Sequence, residues 1–128
     1  MSKEYYDWLR KHHKNEPYIK GRNFEYSCMR KLRKHGYYVV RKFGSKGHED
    51  LVAFKTTYYD EPKTIVLMIQ CKWSKNRNTK PTQFDLLGLI KLAERYGALA
   101  IFAGIRKHRM YFQKWNEQAE EWEDFELG

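Results

Sequence analysis

The chain is poor in residues that staple or interrupt a fold: two cysteines and three prolines in 128 positions. Cys28 and Cys71 stand 43 positions apart with no CxxC pair, so neither a disulfide framework nor a thiolate zinc site is indicated. The five histidines, His12, His13, His35, His48 and His108, lack the spacing of zinc ligands. No apolar stretch approaches the ~20 residues of a membrane span, and the opening Met1-Ser2-Lys3-Glu4 begins no signal-peptide core. A cytoplasmic setting follows (the host cytoplasm for a viral or phage source), with no membrane partner. Acidic residues are scarce in the body of the chain. Met1 to Lys114 carries all 25 Lys and Arg but only 10 of the 16 Asp and Glu, a balance of +15, against +9 for the whole. A surface facing phosphates carries such a charge, and so does a lysine-rich soluble protein of a thermophile.

The length fits one domain, short for a protein that must grip a large partner alone, which makes homodimerisation a reasonable expectation. Tyr5, Trp8, Leu9 and His12 fall at helical spacing, predicting a short amphipathic helix over about residues 3–14 that ends near Pro17. A second helix is expected over Gly21 to His35, with Phe24, Cys28 and Leu32 as its apolar stripe and Gly36 as its stop. Strands are expected at Tyr37 to Phe43, from Asp50 through Phe54, and at Thr64 to Lys72, the last being central because its Ile65 to Ile69 run is apolar on both faces. Asp60-Glu61-Pro62 centres a hairpin turn, and Ser74 to Lys80 reads as a mobile polar loop. Pro81-Thr82 opens a helix that ends at Gly97. Ala98 to Ile105 and Arg109 to Phe112 read as paired strands, and Trp115 to Phe125 as a terminal acidic helix. The order predicts an α/β fold, a mixed sheet flanked by helices. Residues 1–128 form a single domain: a helical extension at 1–19, a core at 20–114 and an acidic segment at 115–128.

Chemistry concentrates at two points. Asp50 opens one strand after the loop Gly44-Ser45-Lys46-Gly47, and Gln70-Cys71-Lys72 closes the next. Side chains alternate along a strand, so Gln70 and Lys72 share a face while Cys71 turns away and offers its carbonyl. The Asp50 carboxylate, Gln70 amide oxygen and Cys71 carbonyl would suit Mg²⁺, with Mn²⁺ plausible. Hydrolysis of a phosphodiester needs such an ion, a positioned water and a supporting cation. Lys72 can be that cation, or help to deprotonate the water; it can also be a strand-end lysine reaching solvent. Glu25, a lone acid among Arg22, Arg30 and Lys31, either reaches the same metal or makes a surface ion pair.

Lys20-Gly21-Arg22-x-x-Glu25, Leu32, Gly36-Tyr37-x-Val39-x-Arg41, Gly44-Ser45, Asp50-Leu51-Val52-Ala53 and Gln70-x-Lys72, in that order, resemble the archaeal-type Holliday junction resolvases of the PD-(D/E)xK nuclease superfamily. Leu92-Ala93-x-x-Tyr96-Gly97 and the strands through Ala103 and Tyr111-Phe112 continue the likeness, which covers about Lys20 to Lys114. The resemblance implies a restriction-endonuclease-like fold and a crossover junction endodeoxyribonuclease. Such an enzyme is a homodimer that nicks branched, four-way-junction DNA symmetrically with a divalent metal and no small-molecule cofactor. It makes Glu25, Asp50 and Gln70 metal-site residues, Lys72 the catalytic lysine and Ser45 a catalytic loop serine near the scissile phosphate. Arg41 would contact phosphate or position the loop.

Two departures stand out. The family has Glu where this chain has Gln70, which removes a negative charge, although Gln-x-Lys also occurs in Mrr-type restriction endonucleases; adjacent Glu49 could restore the charge but should point away from Asp50. The gap from Asp50 to Gln70 is also long, consistent with an extended hairpin around Tyr58 and Tyr59. The expected DNA contacts are Arg22, Arg30, Lys31, Lys34, Arg41, Lys42, Lys46, Lys75, Arg77 and Lys80, where phosphate contact would give steep salt dependence. Tyr58, Tyr59 and Trp73 are the aromatics to test for stacking on bases, against the commoner role of aromatics in a core or dimer face. Two alternatives remain: an Mrr-like or other PD-(D/E)xK endonuclease on duplex DNA, and a catalytically inactive nuclease fold that only binds DNA.

Overall fold

The structure, a computed structural model, describes residues 3–4, 16–42, 49–76 and 78–127. The predicted helix over 3–14 lies mostly outside them. Pro17 falls in the first turn of helix α1 (Glu16–Lys34) instead of ending an earlier element. Proline is tolerated there because a first-turn N–H has no intrahelical acceptor to lose. The sheet follows as β1 (Tyr38–Arg41), β2 (Leu51–Thr57) and β3 (Lys63–Cys71), then helix α2 (Gln83–Arg95), then β4 (Leu99–Arg106), β5 (Arg109–Asn116) and β6 (Glu121–Asp124).

The six strands lie side by side in chain order. Neighbours are antiparallel except β3 and β4, which run parallel because α2 carries the chain across between them. Both helices end the same way. At α1, Gly36 takes φ of 88° while Tyr37 N–H reaches back to the Leu32 carbonyl at 3.1 Å; at α2, Gly97 takes φ of 66° and Ala98 N–H reaches Ala93 at 2.8 Å. These glycines satisfy orphan carbonyls and turn the chain sharply into β1 and β4.

The alternating side chains build a core on each face. Leu51, Ala53, Leu67, Ile69, Ile101 and Ala103 point toward α1 and meet Phe24, Cys28 and Leu32. Ala100 and Phe102, with Met68, face α2 and meet Leu86, Leu89 and Ala93. β3 is thus covered on both sides, as its apolar run predicted. Each fully buried aliphatic side chain here is worth about 1.5–3 kcal/mol relative to exposure.

The terminal acidic helix is not formed. Trp115, Ala119 and Trp122 have helical spacing, but the chain instead turns at 117–120, with Glu120 at φ of 53°, and returns as β6. The strand places Trp115 opposite Trp122 with ring centroids 5.5 Å apart and Lys114 opposite Glu123 with an ion pair of 3.3 Å. Cross-strand aromatic and charge pairs stabilise a hairpin, and Trp122 also meets the edge of Phe102. An exposed helix would leave both indoles without these partners.

Candidate active site

Three chain segments meet at one end of the sheet: the end of β1, the start of β2 and the end of β3. Antiparallel pairing puts Arg41 opposite Leu51 and Leu51 opposite Ile69, so Arg41, Asp50 and Gln70 converge with no long side chain needed to bring them together. Asp50 is fixed by its backbone, whose N–H donates to the Ile69 carbonyl at 2.7 Å and whose carbonyl accepts from Lys42 N–H at 2.9 Å. Its carboxylate is fixed too, because Cys71 N–H donates to Oδ2 at 2.8 Å. The N–H and C=O of a strand residue point to the same side, so the Cys71 carbonyl is presented along the edge where its N–H meets Asp50.

Glu25 reaches this end from α1. It forms a half-buried ion pair with Arg41, Nε to Oε2 at 2.9 Å, with 19% and 20% of the two side chains exposed. Arg41 also lies over the ring of Tyr26, 5.1 Å from its centroid. Of the two readings of Glu25, the ion pair is present, and it is an inward pair that holds the carboxylate close to Asp50. Burial raises the Asp50 pKa above the usual carboxylate value; the Cys71 hydrogen bond opposes this, Glu25 adds to it, and Lys72 and Arg41 oppose it. The Cys71 thiol is pushed well up by a hydrogen bond with Cys28 and by burial. That thiol is therefore a neutral core group, and what Cys71 offers the site is its main chain.

Gln70 is half-buried and Lys72 exposed, while Lys72 N–H is fixed to the Ala103 carbonyl at 2.9 Å. Lys72 thus reaches solvent at the strand end, as one of its two readings expected, and what it offers a site is charge and donors without burial. Glu49 does not supply the charge that Gln70 lacks: its Oε1 pairs with Lys42 Nζ at 2.8 Å. Among the described residues, no group of three or more His, Cys, Asp or Glu is placed to hold a metal. The oxygen set here has only two carboxylates, Glu25 and Asp50, with neutral donors from Gln70 and Cys71. Buried side-chain atoms without hydrogen-bond partners include Arg22 Nε, one turn before Glu25, and Glu49 Oε2, next to Asp50. A third such atom among the described residues, Trp122 Nε1, lies on β6, away from this end of the sheet.

Other expected contacts are dispersed. Ser45, Lys46 and Arg77 lie outside the described residues. Lys31 and Lys34 stand in the last turn of α1, about 9 and 14 Å farther along its axis than Glu25. Arg30 is turned to Ser27 Oγ at 2.9 Å. Lys75 and Lys80 are exposed on the segment after β3. That segment, expected to be mobile, is laced to β4 and β5: Thr79 N–H donates to the Ile105 carbonyl at 2.8 Å, Ile105 N–H to Thr79 Oγ1 at 2.9 Å, and Lys107 N–H to Asn78 Oδ1 at 3.2 Å. Gly104 makes room for it, since a Cβ there would stand 2.4 Å from Thr79 Oγ1 and 2.5 Å from the Phe102 ring. The clamp by Cys71 N–H was missed from sequence, because a main-chain donor has no residue signature. The Thr79 tether could have been suspected from a lone glycine inside an apolar strand.

Comparison with known proteins bears on the family and the fold. The archaeal Holliday junction resolvase (Hjc) family matches residues 16–125. The crossover junction endodeoxyribonuclease Hjc of Methanocaldococcus jannaschii is 36% identical over 80 residues, 62% of this chain and 54% of that protein, so the match spans about half of the relative's length. Among solved structures, that of Archaeoglobus fulgidus Hjc, a Holliday junction resolvase from an archaeal hyperthermophile, is similar with a TM-score of 0.53 and 23% identity, over 73% of this chain and 70% of that one. A likeness at that identity speaks to the fold, which is the restriction-endonuclease-like mixed sheet flanked by helices. With its motifs in order and its strands in register, the chain belongs to the archaeal Holliday junction resolvase family.

Proposed function

We propose that the protein is a structure-selective DNA endonuclease that nicks four-way junctions symmetrically as a homodimer, using Mg²⁺ or Mn²⁺. The observation that carries the reading is the convergence of Asp50, Glu25, Gln70 and Lys72 at one sheet end, with Asp50 held by Cys71 N–H and Glu25 by Arg41. Two neighbouring carboxylates, with Glu25 making the Asp50 proton harder to lose, are a pair that a cation would stabilise. The residues present fit a hard divalent ion: Asp50, Glu25, the Gln70 amide oxygen and the Cys71 carbonyl would hold it. Such an ion, when bound, polarises the phosphoryl group and makes a water acidic.

The chain's own residues would do the rest. Cys71 N–H fixes one oxygen of Asp50 and so aims the other. Arg41 holds Glu25 in place and partly neutralises it. Lys72, exposed at the strand end, would donate to a phosphate oxygen or orient the attacking water. The basic body would hold the phosphates, and selectivity would come from the shape offered to two sites together, because phosphate contacts carry no base sequence. A dimer is supported by an uncovered face: α2 packs on β3 and β4, while Tyr38, Val40 and Phe54 on β1 and β2 remain 62%, 48% and 41% exposed. The Tyr38 and Phe54 rings already touch, 5.0 Å between centroids. A second copy would cover them.

One observation favours a second reading, a DNA-binding module without cutting: with Gln70, the oxygen set has only two carboxylates. A labelled four-way junction and a matched linear duplex, each with Mg²⁺ and with EDTA, separate the readings. The proposal expects paired nicks on the junction alone, absent in EDTA. Binding without nicks selects the inactive module, and equal cutting of the duplex selects a general nuclease.

A further inference from the structure

A groove opens one residue beyond Lys72. It encloses about 300 Å³ between α1, which supplies Lys20, Asn23, Phe24 and Ser27, and Trp73 with His108 of the β4–β5 turn. Trp73 leans on the core that α1 covers but remains half-exposed, and the Lys20 ammonium stands over its ring at 5.6 Å from the centroid. Phe24 belongs to the buried core and floors the groove, whereas Asn23 and Lys20 are exposed at its rim. The walls therefore combine an indole face, a cation on a flexible stem, and an amide and an imidazole able to donate and accept.

That combination fits one ligand class better than others. A nucleotide presents a flat π-face for the indole, an edge of donors and acceptors for Asn23 and His108, and a phosphate for Lys20. The groove begins at the residue after Lys72, on the α1 side of the strand that Cys71 also faces, so it adjoins the sheet end that holds Asp50. At a branch point a base has lost part of its stacking, which lowers the cost of withdrawing it from the helix.

We propose that this groove receives the base of an unpaired nucleotide beside the phosphate to be cut, stacked on Trp73, with the Lys20 charge at the rim favouring that nucleotide's phosphate. The inference rests on the endonuclease reading and names a positioning device for it. Trp73 would hold the strand in register and touch no reacting atom.

The test is a coupling measurement on binding, made in EDTA so that cutting does not enter. A single abasic site is moved through the positions flanking the junction, and each substrate is bound to the wild type, Trp73→Ala and Trp73→Phe. At one position the abasic site should weaken wild-type binding by roughly 5- to 150-fold, the range for one base stacked on an aromatic side chain. In Trp73→Ala the same abasic site should cost nothing further, and Trp73→Phe should keep most of the effect. The salt dependence of Trp73→Ala should match the wild type, because no phosphate contact is removed. Equal abasic penalties in wild type and Trp73→Ala at every position would overturn the proposal. So would an abasic series that leaves wild-type binding flat, a result that stands even if Trp73→Ala fails to fold. With Mg²⁺ added to the same substrates as a separate arm, coupling in binding but no nicks would sink the endonuclease reading and leave the base groove supported, whereas no DNA binding by the wild type would end both.

Discussion

The two ends of the β2–β3 pair are chemically opposite. At one end, where β2 begins and β3 finishes, charge is drawn inward: Glu25 with Arg41, Lys42 with Glu49, and Asp50 with a raised pKa. At the other end, roughly 25 Å away along β2, the hairpin tip carries Tyr58 and Tyr59, 78% and 91% exposed. Lys31 and Lys34 belong toward that far end as well. The difference teaches that the long hairpin adds surface and not chemistry, and that a basic, aromatic sequence must be divided by position along the strands before roles are assigned.

The comparison can be broken most sharply with one substitution at each end. Asp50→Ala should reduce junction cutting by roughly a thousandfold or more, the scale of losing a principal electrostatic group of a site, while Tyr59→Ala leaves the rate unchanged. A cutting assay with both proteins at matched junction occupancy decides it; similar losses at the two ends would erase the distinction. Arg41→Ala comes next. Removing a partner that orients a metal-site group costs about 10- to 100-fold in metal affinity, so Mn²⁺ titration should show a loss of that size, with Arg41→Lys only partly restoring it.

The remaining effects are smaller. Gly104→Ala should destabilise the fold by about 1–3 kcal/mol in urea unfolding, because the new methyl would meet Thr79 and the Phe102 ring and push the segment after Lys72 off β4. Under the proposed dimer, Phe54→Ser, midway along β2, should weaken self-association in sedimentation while leaving cutting by the remaining dimer unchanged. An unchanged dimer would move the interface elsewhere. The smallest effect concerns pH. A carboxyl whose pKa is raised by folding holds its proton more tightly in the fold than in the unfolded chain, so its contribution to stability is lost as pH rises from the ordinary aspartate range through the raised value. Without metal, the thermal midpoint should therefore decline across that window, and Asp50→Asn should flatten the decline. Metal binding runs the other way and should fail on acidification at a higher pH than a solvent-exposed aspartate would give.

Much of this was legible in the residues. The stripe Phe24, Cys28, Leu32 and the apolar run Ile65 to Ile69 located the helix and the central strand, because periodicity records burial directly. Asp50 and Gln70-x-Lys72 pointed to the sheet end proposed as the site, because strand alternation fixes which side chains share a face. The terminal strand β6 was illegible: Trp115, Ala119 and Trp122 satisfy a helix as well as a hairpin, and the cross-strand partners Lys114 and Glu123 decide between them. The pairing of Arg41 with Glu25 joins a strand to a helix 16 positions away, and the role of Cys71 N–H belongs to the main chain; neither leaves a local pattern.

The central claim is that the sheet end bearing Asp50 and Gln70 is one metal-ion site used to cut DNA, working with an amide where a carboxylate is usual. The rate of junction nicking as a function of Mg²⁺ concentration, for the wild type and Gln70→Glu, tests it most directly. Both proteins should nick with saturating metal dependence, and Gln70→Glu should reach half-saturation at lower Mg²⁺ because it adds a negative ligand. Nicking that persists in EDTA, or none from either protein at any Mg²⁺ concentration, would contradict the account.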